Sequence, residues 1–273
     1  MTPKPEAVEV LRCGELTILG RIRSASNATF LCEAVRDGDA DGAVHCVYKP
    51  VAGEQPLWDF PDGTLAGREL ATFLVSDALG WNIVPHTIIR DGPAGPGMCQ
   101  LWVDQPEDLD EEEVKTLDLV DLCPAEHLPE GYLPVLRAQD YAGADVLLIH
   151  ADDERLRRMA VFDVLVNNAD RKGGHILHGI DDNVYGVDHG LCLHIDDKLR
   201  TVLWGWAGKP IEDDTLEAVK RLIDALDGHL ADTLVGHITD AEVIALEDRA
   251  RAMVEFARMP TPDRHRPIPW PAF

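Results

Sequence analysis

The chain has 273 residues, 45% of them hydrophobic, enough to bury a large core in one domain or two lobes. Its formal net charge of −24 repels polyanions, which argues against binding to nucleic acid or docking on an anionic bilayer. The same charge fits plain solubility or a salt-adapted host, and it leaves room for a local basic site. Cys13, Cys32, Cys46, Cys99, Cys123 and Cys192 are scattered with no Cys-x-x-Cys pair. They read as reduced, mostly buried thiols, so a cytoplasmic location is expected. Met1 to Glu9 lacks a signal-peptide core and no apolar stretch reaches spanning length, so no stable membrane insertion is expected.

Three short strands open the chain: Glu15 to Ile22, Ala28 to Val35 and Ala43 to Pro50. Arg23 to Asn27 joins the first two and is a polar turn that could lay N–H groups over a phosphate, or simply close a hairpin. Arg36 to Gly42 is an Asp/Gly turn. Lys49 ends the third strand. After the loop Val51 to Asp62, residues Thr64 to Leu79 carry apolar positions at helical spacing, with Glu69 inside and Gly80 as the stop. A strand lysine followed by a helix glutamate is the arrangement that grips nucleotide phosphates in kinases; each residue also fits a solvated surface charge. Asn82 to Arg90 and Met98 to Val103 read as strands flanking a loop, Asp91 to Gly97. An acidic, Pro-containing stretch from Asp104 to Glu113 then marks a lobe boundary.

The second half is expected to be mainly helical. Glu112 to Asp121 is weakly helical, Cys123 to Leu136 irregular, and Asp140 to His150 a short helix. Asp152-Asp153-Glu154 starts a helix running to about Val166, and Asp163 sits within its apolar stripe, where it needs a hydrogen-bonding partner. Glu212 to Asp227 and Asp240 to Met259 are amphipathic helices. Trp204 and Trp206 read as core, and the Pro-rich tail from Pro260 as an extended surface segment.

The chemistry concentrates in Val161 to Leu191. An apolar run stops at Asn167, Asn168, Asp170, Arg171, Lys172 and His175, and a second, Val184 to Val187, stops at Asp188-His189-Gly190. Two carboxylates delivered at element ends, with cations beside them, suit phosphoryl transfer. Asp170 could orient the acceptor, Asp188 bind a metal, His175 act as a second ligand or a donor, and Arg171 and Lys172 serve as local cations. A zinc hydrolase built on His175, His178, His189 and His194 is a rival, but no metal-hydrolase histidine spacing supports it.

Asp163-x-x-x-Asn167-x-x-Asp170-Arg171 followed by Val187-Asp188-His189-Gly190 resembles the catalytic and metal-binding loops of the phosphatidylinositol 3-/4-kinase-like superfamily, in its bacterial, HipA-related branch. Tyr48-Lys49-Pro50-x-x-Gly53-Glu54, Gly67-Arg68-Glu69, Trp81-x-x-Val84-Pro85 and Gln100-Leu101-Trp102-Val103 carry the resemblance across Gly14 to Gly208. It implies an α+β, two-lobed protein-kinase-like fold: a β-rich N-lobe over residues 1–103 and a mainly helical C-lobe over 104–273. It implies ATP with Mg2+ or Mn2+, and a hydroxyl acceptor that could be protein, small molecule or inositol lipid. By the same resemblance, Lys49 and Glu69 hold the phosphates and Ser26, Asn27 and Thr29 cover them. Gln100, Leu101, Trp102 and Val103 form the adenine hinge, Asp170 is the catalytic aspartate and Asp188 binds the metal; Lys172 as a catalytic cation and His175 as a second metal ligand rest on the residue pattern above. The resemblance departs at His175, where the family usually carries an Asn magnesium ligand. Imidazole suits a hard ion less well, so a nucleotide-binding pseudokinase is the alternative.

Overall fold

The computed structural model describes residues 4–23, 27–36, 42–106 and 118–273. Ser26 and most of the acidic stretch after Asp104 lie outside these residues, so the phosphate-covering role of Ser26 and the weak helix from Glu112 stay expectations. In the first half, β1 (Glu15–Arg21), β2 (Phe30–Val35), β3 (Val44–Pro50), β4 (Thr87–Gly92) and β5 (Gly95–Leu101) form one antiparallel sheet in the order β1-β2-β3-β5-β4, with burial alternating along β2 and β3. One face of it is a small core of Leu16, Cys32, Ala34, Cys46, Tyr48 and Cys99. That face is covered by helix α1 (Pro5–Cys13), whose Leu11 is wholly buried. The sequence reading did not foresee α1, although Pro5 at its first turn is a favoured helix start.

The expected loop from Asp91 to Gly97 is instead a tight hairpin, with Gly92 paired to Gly95 and Arg90 to Gly97. Its glycines make room for Tyr48. A Cβ at Gly92 would lie 2.8 Å from that ring, and one at Gly97 would lie 2.5 Å from the Lys49 carbonyl. The Tyr48 hydroxyl donates to Gly95 O at 2.6 Å and pins the turn.

Helix α2 (Leu65–Leu79) is capped by Thr64, whose Oγ1 accepts from Gly67 N, and is stopped by Gly80 in the left-handed region. Its Ala71, Val75 and Leu79 join the main core, together with Phe162, Leu165, Val219 and Leu222. The helix that carries Glu69 is therefore seated on the larger lobe while facing the sheet. That lobe holds α3 (Glu154–Leu165), α4 (Asp213–Leu226), α5 (His229–Leu234) and α6 (Asp240–Phe256). It also holds the hairpin of β9 (Ile176–His178) and β10 (Val184–Gly186).

The larger lobe carries more strand than expected. β6 (Val120–Pro124), β7 (Tyr132–Gln139) and β8 (Asp145–Ala151) form a sheet in the order β6-β8-β7. Residues read as irregular around Cys123 to Leu136 supply β6 and β7, and the expected helix over Asp140 to His150 is a turn followed by β8. Asp140 decides the matter: its Oδ1 accepts from the N–H groups of Ala142 and Ala144, both at 2.8 Å, closing a hairpin turn with Gly143 at φ +82°. The run Val146 to Ile149 then fits between two strands. The tail is less detached than a surface strap: Ile268 and Ala272 pack on the main core, and Ala272 O accepts from Gly173 N at 2.8 Å. Trp204 and Trp206 are buried, as expected.

Candidate active site

Lys49 points from β3 to the face of the sheet opposite the Tyr48 core. Its Nζ lies 2.6 Å from Glu69 Oε1 on α2 and 2.7 Å from Asp188 Oδ1 in the larger lobe. Burial by itself would lower the Lys49 ammonium, but the Glu69 and Asp188 carboxylates outweigh it and hold the group above its ordinary value. Glu69 is 1% exposed, and its second oxygen accepts from His189 N at 2.9 Å. Beside Asp188, the same ammonium keeps the carboxyl well below the usual carboxylate range, against the opposing effect of burial. One buried glutamate thus anchors both the lysine and the backbone that follows Asp188.

The helix under Glu69 is fixed at both ends of its first turns. Glu54 lies in the sequence motif without an assigned role, yet its two oxygens accept from Leu65 N and Ala66 N at 2.9 and 2.8 Å. Arg68 pairs with Glu242 of α6 at 2.6 Å, both buried, and donates to Cys192 O. Neither role was legible, because each partner is supplied by a distant segment.

Below the lysine, Asp163 organises the loop after α3. Its carboxylate is wholly buried and accepts from Asn168 Nδ2, Arg171 Nε and Thr201 Oγ1 at 3.0 to 3.1 Å. The expected partner for Asp163 is therefore three partners. Arg171 is correspondingly not a free cation at the site. It is buried against Asp163 and donates to His189 Nε2 at 2.7 Å and to the carbonyls of His175 and Val187. This one guanidinium ties together the segments that carry Asp170, His175 and Asp188. With Nε2 accepting, His189 carries its proton on Nδ1, and burial holds the ring neutral. Asn167 and Asp188 take φ of +51° and +61°, a region that Asn and Asp tolerate better than most residues.

Asp170 lies on the same cleft. Burial raises its carboxyl above the ordinary value, and Lys172, with Nζ 3.2 Å from Oδ2, opposes that rise. His175 donates from Nδ1 to Asp170 O at 2.9 Å, and its Nε2 faces Asp188 Oδ2 at 3.5 Å. Burial pulls the imidazole down to about 4, so the ring is neutral near pH 7 and Nε2 carries a lone pair. A lone pair facing a carboxylate oxygen is a repulsive contact that a cation between them would relieve. The donor set, one imidazole nitrogen and one carboxylate, suits manganese better than magnesium, which prefers an all-oxygen shell. Among the described residues, no group of three or more His, Cys, Asp or Glu side chains could hold a metal alone. A cation here would need water and phosphate oxygens to complete its shell.

Lys49, Glu69, Asp170 and Asp188 share a cleft of about 170 Å3 with Asn27 and Thr29. Asn27 is held there by its Oδ1, which accepts from Gln55 N at 3.0 Å. The four hinge candidates do not line this cleft. Leu101, Trp102 and Val103 line a separate cavity of about 570 Å3, with Phe73, Val84 and Tyr185. Gln100 is buried in the sheet with its amide donating to Thr87 Oγ1. The N–H groups of Leu101 and Trp102 are donated to His86 O and His45 O. Of these four, only Val103 N–H makes no backbone hydrogen bond among the described residues. His178 and His194 stand apart, beside Asp182 and Asp196.

The layout is two-lobed and kinase-like: a five-stranded antiparallel sheet and a glutamate-bearing helix above a lobe whose two loops bring carboxylates to the strand lysine. No family model matches the chain. It resembles the golgi casein kinase crystal structure with a TM-score of 0.49 at 13% identity, over 93% of this chain and 78% of that one. Phosphatidylinositol 4-kinase gamma 4 of Arabidopsis thaliana is 30% identical over 111 residues, which is 36% of this chain and 20% of that protein. Protein Rv2133c of Mycobacterium tuberculosis (strain ATCC 25618 / H37Rv) is 67% identical over 274 residues, covering 100% of this chain and 98% of that protein. At that identity along both whole lengths, the chain belongs to the family of Protein Rv2133c.

Proposed function

We propose that the chain is an ATP-dependent phosphotransferase that moves the terminal phosphate to a hydroxyl, with the lobe boundary at residues 103 and 104. The observation that carries this reading is the Lys49 ammonium held between Glu69 and Asp188, in a cleft that also contains Asp170. An ammonium aimed by a buried carboxylate is suited to the ATP phosphates, and Asn27 and Thr29, which line the same cleft, would cover them. Asp170 orients the acceptor hydroxyl and takes its proton as the acceptor oxygen bonds to the terminal phosphorus. The bond from that phosphorus to the bridging oxygen breaks, and ADP leaves with the electron pair. Lys172, beside Asp170, balances charge there. Asp188 and His175 Nε2 would hold a divalent ion, whose chemistry is to neutralise the phosphates. Val103, whose N–H makes no backbone hydrogen bond among the described residues, would meet the adenine only if the nucleotide reaches beyond the cleft that holds Lys49.

The family likeness to lipid kinases does not fix the acceptor. A second reading, a nucleotide-binding pseudokinase, is favoured by one observation: Asp188 is already engaged by Lys49 and faces an imidazole where an amide is usual. Asp170→Asn separates the two. The variant is expected to keep its melting temperature and ATP affinity and to lose phosphotransfer measured with labelled ATP in magnesium or manganese. Unchanged transfer would remove Asp170 from the chemistry, and no transfer by the parent chain in either metal would favour the pseudokinase.

A further inference from the structure

Two stretches of chain that line the cleft around Asp170 also line a neighbouring cavity. Gln55 and Leu57 form one wall of the cleft, and Gly190 and Leu191 the other. Further along the same two stretches, Trp58, Asp59 and Asp62 face Ile195, Asp196 and Lys198 across a second cavity of about 490 Å3. The two cavities have different lining residues, but Leu57 of the cleft directly precedes Trp58 of the outer cavity, and Leu191 lies three residues before His194, so the two open side by side.

Two properties of the outer cavity identify what it fits. It is apolar at the rim: Trp58 is 91% exposed and Ile195 is 53% exposed. A tryptophan left in water beside a functional cleft is a contact surface rather than core. It is also acidic after pairing. Lys198 is matched by Asp59 at 3.3 Å and lies over the Trp58 and Phe60 rings, and Arg68 is matched by Glu242. Asp62 has no charged partner among the described residues. Among the described residues, the one charged partner of Asp196 is His194, 3.7 Å away, whose ring burial keeps on the neutral side. Two carboxylates are left over, beside exposed apolar surface.

We propose that the acceptor is a serine, threonine or tyrosine hydroxyl on a polypeptide segment that carries lysine or arginine next to an apolar residue. The basic side chains complement Asp62 and Asp196, and the apolar residue covers Trp58 and Ile195. An inositol lipid fits worse, because its anionic headgroup and bilayer would meet these carboxylates and a chain of net charge −24. The proposal rests on the phosphotransferase reading.

The test uses the full chain, labelled ATP, and hydroxyl-bearing peptides that differ only in flanking charge, with phosphatidylinositol vesicles and ATP hydrolysis measured in parallel. Basic peptides with an apolar neighbour are expected to be labelled with kcat/KM at least about tenfold above their acidic counterparts, the size of one good charge pair. The double variant Asp62→Asn, Asp196→Asn is expected to raise KM for the basic peptide about tenfold and to erase the charge preference, with kcat little changed. Trp58→Ala is expected to raise KM for every peptide with an apolar neighbour. Label on the lipid alone, a preference for acidic peptides, or a basic preference that survives the double variant would overturn the proposal. Asp170-dependent ATP hydrolysis with no peptide labelled would overturn it too, while leaving the phosphotransferase reading standing. Absence of ATP binding and hydrolysis would instead remove that reading, and the proposal with it.

Discussion

Lys49→Met removes the one cation paired, among the described residues, with a carboxylate that has almost no access to water. Glu69 is 1% exposed, and among the described residues it would keep one hydrogen bond, from His189 N. Breaking a buried ion pair on one side costs about 3–5 kcal/mol, because the remaining charge is uncompensated. Asp188 adds little to this, since its side chain is 51% exposed and water can replace the ammonium there. For a chain of this size, each kcal/mol moves the melting temperature by roughly 2–4 °C, so the expected fall is about 6–20 °C. The double variant Lys49→Met, Glu69→Gln removes both charges and is expected to recover most of that loss, because replacing both partners leaves no buried charge unpaired. Neither variant is expected to bind ATP well: the lost ammonium–phosphate bond, about 1.5–3 kcal/mol, lowers affinity by roughly 10- to 150-fold. Thermal denaturation and calorimetric titration with ATP are the assays. A single variant that melts within about 2 °C of the parent would refute the claim that Lys49 neutralises Glu69. A double variant no more stable than the single would refute the pairing as the source of the loss.

His175→Asn replaces an imidazole facing Asp188 with an amide whose oxygen suits magnesium better, so magnesium-dependent phosphotransfer is expected to hold or rise relative to manganese. Complete loss in both metals would give the imidazole a role of its own. Gly97→Ala places a methyl 2.5 Å from the Lys49 carbonyl and against the Tyr48 ring, where backbone cannot yield. A loss of about 1–3 kcal/mol in urea unfolding is expected, and an unchanged midpoint would show that the sheet has room there.

Where local chemistry decides, the sequence was sufficient. The Gly80 stop of α2, the short strands β1 to β3 and the acidic start of α3 each depend on near neighbours, and each element formed within a few residues of its expected place. The loop over Asp91 to Gly97 was misread because glycine within a strand looks like a turn until the Tyr48 ring that needs the space is known. The helix over Asp140 to His150 failed because one Asp side chain closed a hairpin that periodicity does not register.

By itself, then, the sequence determined β1 to β3, α2, α3 and the two long C-terminal helices, and the inventory of candidate groups: a strand lysine, a helix glutamate and two carboxylates at element ends. Only the tertiary structure decided what each does. It brought Lys49 against Asp188, 139 residues away, and it withdrew Arg171 from the cleft to neutralise Asp163 in the core. It also turned Leu101 and Trp102 toward a different cavity. Pairing of charges across long loops depends on which groups burial deprives of water, and burial is a property of the packed chain rather than of any segment of it.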